Sequence, residues 1–458
     1  MKRDSLLYLL GAAVVTTACT SAENKEQDKP NIIFILSDDM GVGDLSTYGG
    51  QFLPTPHLDE MAKEGIQFTR YYSASPISSP SRAGLLTGKH PANWNITSYL
   101  QTRAGNKEAE MADYLTVSAP TLPRALKAEG YKTAHFGKWH LGGGRDVHDA
   151  PSILEYGYDE YSSTYESPDP DPLLTATDWI WSKEDSIARW DRTAYFIDKT
   201  LDFLRENSDV PCFINLWPDD VHTPWIGNQE EMDLVPKGTN SKENLKTVLK
   251  EYDYQIGRLL NTLKEEGLDK NTIVIFTSDN GPAPSFQHMR GNGLRGQKAS
   301  LFEGGIRMPF IVWGPKANIP SGRTDSTTII SALDMYVSLC AITGSSIPEQ
   351  LDSDGEDMSS ALQGIPQERA KPIYWEYKRN EGTAFPKARG LDASPNVAIR
   401  DGDWKLLVNH DGTDVMLFNT KEDLFEEQDV KEQYPEIAAR LKEQALIWRN
   451  QLPTLGDN

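Results

Sequence analysis

At 458 residues the chain is roughly three average domains long on a ~150-residue scale, so it can bury a large core without covalent staples. Charged residues make up 25% and hydrophobic ones 38%, with 11 Trp, 18 Tyr and 14 Phe, a composition that excludes disorder for the bulk of the chain. The 46 Lys and Arg against 67 Asp and Glu leave a net charge of -21; that field excludes nucleic acid as the expected partner but still permits a small anion held by a few basic groups in one cleft.

The amino end has the layout of an export signal. Lys2 and Arg3 form a positive region, 6–15 an apolar stretch too short to span a bilayer at ~20 residues, and small residues lead to Cys19. Thr17-Ala18-Cys19 resembles the end of a bacterial lipobox, which predicts cleavage before Cys19 and lipidation of it. Thr16 stands where Leu is usual, and an ordinary secreted protein is the alternative. The expected division is a signal peptide at 1–18, a polar tether at 19–30, a main domain at 31–367 and a smaller subdomain at 368–458. Cys212 and Cys340 alone remain in the body, too few for a disulfide framework, and are expected as buried free thiols.

The first element, Asn31-Ile32-Ile33-Phe34-Ile35-Leu36-Ser37, is a continuous apolar and β-branched run, the pattern of a strand buried on both faces of a parallel sheet. Asp38-Asp39 ends it. At 78–88, Pro80 suits an early helix position, so Ser78 falls at the amino end of a short helix and Arg82, one turn on, folds back beside it. Buried runs recur at 132–136, 212–217, 272–277 and 310–313, with helical patterns at 121–129 and 244–266. This alternation predicts the α/β class, with a large, mostly parallel central sheet and helices on both faces. From about 368 the texture changes to short strands at 373–377, 396–400, 404–409 and 415–419, with a hairpin signal at Asp401-Gly402-Asp403. A smaller antiparallel sheet closed by a helix at 434–450 follows, an α+β subdomain.

In an open α/β sheet ligands bind beyond the carboxyl ends of the strands. Asp38 and Asp39 follow the first strand, and Ser278, Asp279 and Asn280 follow the run at 272–277. Asp38, Asp39, Asp279 and Asn280, four oxygen-bearing side chains without Cys or His, suit a hard cation, Ca²⁺ at ~2.3–2.6 Å in preference to Zn²⁺. Taken alone, the same pairs are also ordinary turn or helix caps.

The segment Ser78-Ser79-Pro80-Ser81-Arg82-Ala83-Gly84-Leu85-Leu86-Thr87-Gly88 resembles the signature of the type I sulfatases, a Cys or Ser followed by x-Pro-Ser-Arg and then x-x-x-Leu-Thr-Gly. The resemblance runs through Asp38-Asp39-Met40-Gly41 with Asp44-Leu45, Gly137-Lys138-Trp139-His140-Leu141-Gly142, His222-Thr223-Pro224, Ser278-Asp279-Asn280-Gly281, and Lys298 with Glu303-Gly304-Gly305-Ile306-Arg307-Met308-Pro309. It implies an alkaline phosphatase-like fold and a sulfuric ester hydrolase in which a maturation enzyme converts Ser78 to formylglycine. The hydrated aldehyde would offer one oxygen to attack sulfur and keep a second hydroxyl whose deprotonation expels sulfate, which a plain Ser, a weak nucleophile, lacks. By the same resemblance one Ca²⁺ is bound by Asp38, Asp39, Asp279 and Asn280 with an oxygen of the modified Ser78. Arg82, Lys138 and Lys298 would hold the sulfate oxygens, His140 would take the diol proton, and His222, with Lys298, would protonate the leaving sugar oxygen. Ser in place of Cys is the type found in bacteria that mature the residue without oxygen.

His288, Arg290, Asn292 and Arg295 follow the second acidic pair in a Gly-containing stretch and are candidate contacts to a sugar; the alternative is a loop whose cations pair with the acidic surface. Trp179, Trp181 and Trp190 offer flat faces for stacking or for packing, and Arg103 and Lys107 lie in a polar insertion. Export and a sulfatase site together suggest a sulfated glycosaminoglycan or mucin-type glycan as substrate, met in the periplasm or at the cell surface, with the membrane engaged only through a lipid anchor. Two rivals remain. A phosphoester hydrolase of the same superfamily would need two transition metals, but Asn280 follows Asp279 and the chain has only 8 His. An inactive glycan-binding lipoprotein would result if Ser78 stayed unmodified.

Overall fold

β1 (Asn31–Ser37) is buried along almost its whole length, and its side chains alternate between two cores. Ile33 and Ile35 pack in one with Leu58, Met61, Phe196, Leu201 and Leu245; Ile32, Phe34 and Leu36 pack in the other with Leu85, Leu126 and Met335. The helices Pro56–Glu64, Arg192–Glu206 and Lys242–Glu265 therefore cover one face, and Ser78–Thr87, Leu122–Ala128 and Asp334–Thr343 the other. Each large aliphatic or aromatic side chain removed from water here contributes about 1.5–3 kcal/mol. The computed structural model describes residues 29–177, 179–228, 240–348, 351–377, 379 and 387–454, so the signal segment and Cys19 lie outside the described residues. Among these, no helix is long and apolar enough to cross a membrane.

The remaining strands are β2 (Ile66–Tyr72), β3 (Lys132–Gly137), β4 (Glu160–Ser163), β5 (Cys212–Trp217), β6 (Thr272–Ser278), β7 (Arg307–Trp313), β8 (Arg323–Asp325) and β9 (Ile330–Ser331). They form a nine-stranded sheet in the order β4-β3-β5-β1-β6-β7-β2-β8, with β9 beside β2. Pairing is parallel from β4 through β6, whereas β7 runs antiparallel to both β6 and β2. The sheet is thus mostly parallel, as expected, with one reversed strand that an apolar run cannot distinguish from a parallel one. β2, β4, β8 and β9 escape the sequence reading.

β10 (Ile373–Glu376), β11 (Val397–Asp401), β12 (Trp404–Val408) and β13 (Met416–Asn419) make a separate four-stranded antiparallel sheet. Asp401 pairs with Trp404 across the two-residue turn, in which Gly402 takes a φ of 58°, as the hairpin signal requires. One face packs on the helix Pro435–Asn450 through Leu441 and Ala445. The other packs on the main body through Leu407, Phe418 and Trp375 against Tyr72 and Phe302. Cys212 and Cys340 are buried free thiols.

Candidate active site

Register brings the acidic pairs together. β1 and β6 align so that Ser37 lies opposite Ser278, and Asp38-Asp39 and Asp279-Asn280 emerge side by side where both strands stop. Met40 N donates to Ser278 Oγ at 2.9 Å, Asp39 N to Asp279 Oδ1 at 3.2 Å, and Asn280 Nδ2 to Asp39 Oδ1 at 2.7 Å.

The helix Ser78–Thr87, buried at every residue, points its first residue at this cluster. Ser78 Oγ lies 3.2 Å from Asp38 Oδ1 and 3.2 Å from Asn280 Oδ1; a hydroxyl has one proton, so it satisfies only one of these acceptors. Arg82, one turn on, donates from Nε and Nη2 to Asp279 Oδ2 at 3.1 and 2.8 Å and from Nη1 to the Lys138 carbonyl at 2.9 Å. Its guanidinium lies over the Trp217 ring, 5.2 Å from the centroid. Lys138 Nζ donates to Asp38 Oδ2 at 2.8 Å, and Lys298 Nζ to both Asp39 oxygens at 2.7 and 2.8 Å. Each carboxylate therefore accepts from a cation, and Asp38 also has Arg82 Nη2 at 3.5 Å. Gly137 makes this possible at the end of β3. Its φ is 120°, and a Cβ there would sit 2.0 Å from the Trp217 carbonyl oxygen, so only glycine lets the chain turn towards Lys138.

The donor set fits a hard divalent cation, with three carboxylates, a carboxamide and a hydroxyl oxygen converging at two strand ends. The electrostatics agree. Burial raises Asp279 to about 6, with Arg82 pulling it down and Asp38 pushing it further up, which is the strain of neighbouring carboxylates that a cation relieves. Burial would raise Asp38 as well, but Lys138, His222 and Arg82 outweigh it and hold it well below the usual carboxylate range. Asp39 ends below its ordinary value too, burial being outweighed by Lys298 and His222. Among the described residues, Asp38, Asp39 and His222 are the one acidic-histidine group whose donor atoms fall within 4.8 Å of one another, which gives no support to a two-zinc site.

His222 donates from Nδ1 to the Thr223 carbonyl at 2.6 Å, which leaves Nε2 to face Asp39 Oδ2 at 3.7 Å. Burial lowers its pKa, with Asp38 acting against that. The side chains of His222 and Lys298 are 22% and 17% exposed, while those of Arg82, Asp38 and Asp39 are at or near zero; the cleft opens on the His222 and Lys298 side. His140 is buried at a φ of 54°, and Asp39 stands at 60°. Such backbone costs about 1–3 kcal/mol per residue and clusters at functional sites. His140 Nε2 lies 3.1 Å from both the Leu100 carbonyl and Glu166 Oε2.

The stretch after Asn280 corrects one expectation outright. Arg290 is no sugar contact: its guanidinium is fully buried, donates to Asp44 at 2.8–3.1 Å and reaches the Asp39 carbonyl at 2.8 Å. It braces the end of β1. Gly41 and Gly43 permit the approach, since a Cβ on either would lie 2.1 or 2.2 Å from the carbonyl oxygens of Arg290 and Met289. His288 Nε2 pairs with Asp392 at 2.8 Å, and Arg295 donates to the Leu391 and Glu426 carbonyls, both at 2.9 Å. Asn292 is exposed, with Nδ2 on the Tyr48 carbonyl at 3.2 Å. These side chains tie the loop down through partners within the chain. Arg103 pairs with Asp113 and Asp149, Lys107 is exposed, and Trp179 is 53% exposed beside Tyr165; Trp181 and Trp190 are half-buried. Glu166, beside His140, is a residue that sequence reasoning missed: it follows β4, whose Glu, Tyr and Ser carry no apolar run to announce a strand end.

Comparison with known proteins fits this geometry. The family profile described as Sulfatase matches residues 30–345. An N-acetylgalactosamine-6-O-sulfatase of Bacteroides thetaiotaomicron is 29% identical, the alignment covering 96% of this chain and 97% of that protein. The human N-acetylgalactosamine-6-sulfatase is 31% identical over 76% of this chain and 68% of its own length. Among solved structures, Ps i-CgsB in complex with k-i-k-neocarrahexaose has a TM-score of 0.76 at 26% identity, covering 94% of both chains. A Bacteroides thetaiotaomicron structure reported under the metabolism of multiple glycosaminoglycans has a TM-score of 0.74 at 25% identity, covering 93% of this chain and all of that one. With a profile match across most of the chain and a relative aligned nearly end to end, the assignment is plain: this chain belongs to the sulfatase family and is a sulfuric ester hydrolase.

Proposed function

We propose that the enzyme removes sulfate esters from a carbohydrate outside the cytoplasm, a glycosaminoglycan or mucin-type glycan, with N-acetylgalactosamine 6-sulfate as the first substrate to test. The observation that carries this reading is the Ser78 hydroxyl, held 3.2 Å from oxygens of Asp38 and Asn280 at the head of the helix that also supplies Arg82. The sugar is supported by the Bacteroides thetaiotaomicron relative named for that activity and by the likeness to a structure described with a neocarrahexaose. The location is supported by the export-like pattern at 1–18 and by the lipobox-like Thr17-Ala18-Cys19.

In this reading a maturation enzyme converts Ser78 to formylglycine, and one Ca²⁺ is held by Asp38, Asp39, Asp279 and Asn280 with an oxygen of residue 78. Bound there, the two groups supply an activated oxygen nucleophile at neutral pH and a positive charge against the sulfate. The other tasks fall to side chains of the cleft. Arg82, Lys138 and Lys298, already aligned by Asp279, Asp38 and Asp39, donate to the sulfate oxygens and stabilise the charge that grows on them. His140 accepts a proton from residue 78. His222, anchored through Nδ1, carries a proton on Nε2 to the departing sugar oxygen, with Lys298 alongside. Both stand where the cleft meets solvent, which is where the sugar must lie.

Sulfate release from defined mono- and disaccharides that differ only in sulfate position tests the proposal. Turnover should be highest on 6-sulfated N-acetylgalactosamine; turnover confined to aryl sulfates or phosphoesters would rule out the carbohydrate assignment.

A further inference from the structure

His140 has a partly buried partner, Glu166, that the sulfatase signature does not contain. β3 and β4 are parallel with Gly137 opposite Ser163, so the segment after β4 runs beside Lys138-Trp139-His140. Glu166 is held there twice. Its carbonyl accepts the His140 N–H at 2.9 Å, and its carboxylate stands 3.1 Å from His140 Nε2, with side-chain exposures of 13% and 7%. Arg145 Nη2 donates to the other carboxylate oxygen at 2.8 Å. The Leu100 carbonyl also lies 3.1 Å from Nε2, so this ring nitrogen faces two acceptors and no donor. A neutral imidazole carries one N–H, and two acceptors demand that it sit on Nε2. Nδ1 is then the lone pair, and it is buried with no hydrogen-bond partner among the described residues.

We propose that Glu166 is a positioning residue for His140: with Leu100 it fixes the proton on Nε2 and leaves Nδ1 as the atom that accepts the proton from residue 78. The inference rests on the reading of His140 as the proton acceptor. Its physics is that of the carboxylate behind the base in Ser-His-Asp sites, where the acid fixes tautomer and orientation without itself taking the proton. Arg145 sharpens the expectation for the amide variant. In Glu166→Gln the amide oxygen stays with Arg145, so the amide NH₂ turns to Nε2 and competes there with the Leu100 carbonyl, weakening the preference for a proton on Nε2 in favour of Nδ1. Burial, with Lys138 and Arg82 nearby and Glu166 opposing them, holds His140 down to about 3, in keeping with a neutral ring at working pH.

The test is ¹⁵N NMR of histidine-labelled full-length chain carrying unmodified Ser78, with the His140 signals identified by their loss in His140→Asn. The expected result is a protonated Nε2 and an unprotonated Nδ1 in the native sequence, and a shift towards protonated Nδ1 in Glu166→Gln. In matured enzyme the same variant should lose kcat on the order of 100-fold or more with KM little changed, and Glu166→Asp should recover part of it. A native His140 protonated on Nδ1, or a Glu166→Gln variant with native tautomer and native kcat, would overturn the proposal. Failure of the underlying reading looks different: His140→Ala would then turn over normally whatever the tautomer.

Discussion

Two charge clusters, each of carboxylates faced by Lys and Arg, behave in opposite ways. Beneath the small sheet, Glu303 accepts from Tyr72 at 2.8 Å and from Lys405 at 3.0 Å, with Arg307 at 3.3 Å and Arg400 at 3.5 Å. Lys405 also meets Glu426 at 2.9 Å, whose second oxygen accepts the Glu303 N–H at 2.6 Å. Cations outnumber carboxylates, all but the 12%-exposed Arg307 are sealed from water, and the cluster pins β11 and β12 to the main body. At the strand ends the cations instead pair with acids that also crowd one another around Ser78, and one side stays open. The lesson is that a closed cluster holds structure, whereas pairings that a cation and an anion can replace hold a site.

Removing the centre of the open cluster should give the largest effect. Ser78→Ala is expected to cut turnover on the order of 10⁴-fold or more while changing unfolding free energy by less than about 1 kcal/mol, as kinetics and urea titration would read. A chelator should inactivate reversibly, with Ca²⁺ restoring activity; full activity after exhaustive chelation would contradict the cation assignment. The closed cluster should respond the other way. Lys405→Met leaves Glu303 and Glu426 short of a partner and should cost about 3–5 kcal/mol of stability, with kcat per folded molecule unchanged. At the open rim, His222→Ala should slow sugar sulfates about 10- to 100-fold more than aryl sulfates, because a phenolate needs little protonation to leave. Equal losses on both substrates would remove His222 from the acid role.

The smallest effect is a pH dependence of the closed cluster. Burial would raise Glu303, but Lys405, Arg400 and Arg307 reverse that and hold it down to about 2; its stabilising contribution is present above the ordinary Glu value near ~4.3 and lost as pH falls through about 2. Glu426 is pushed up to about 7 by burial, with Lys405 opposing and Glu303 reinforcing. Its contribution is complete below ~4.3 and lost as pH rises through about 7. Stability to urea should therefore decline from about pH 5 to about pH 8, and Glu426→Gln should flatten that slope.

The residues that local pattern reveals best are those at abrupt ends of long apolar runs. Asp38 and Asp279 follow seven-residue strands, and Ser78 stands two residues before a proline in a helix start, so both were legible before any fold was known. Glu166 was not, because β4 is four residues of Glu, Tyr and Ser and gives no apolar signal. Arg290 was misread because a basic residue in a Gly-containing loop looks exposed; only the approach of that loop to Gly41 and Gly43 shows it paired with Asp44. The reversal of β7 was illegible for the same reason that its apolar run and that of β1 were clear, since burial on both faces erases the polar alternation that would betray a strand's direction.

Peptide mass spectrometry across residue 78 of an active preparation tests the central claim most directly. The account predicts a residue lighter than serine by two hydrogens, in a fraction that tracks specific activity from one preparation to the next. Full sulfatase activity from a chain whose residue 78 is entirely unmodified serine would contradict it.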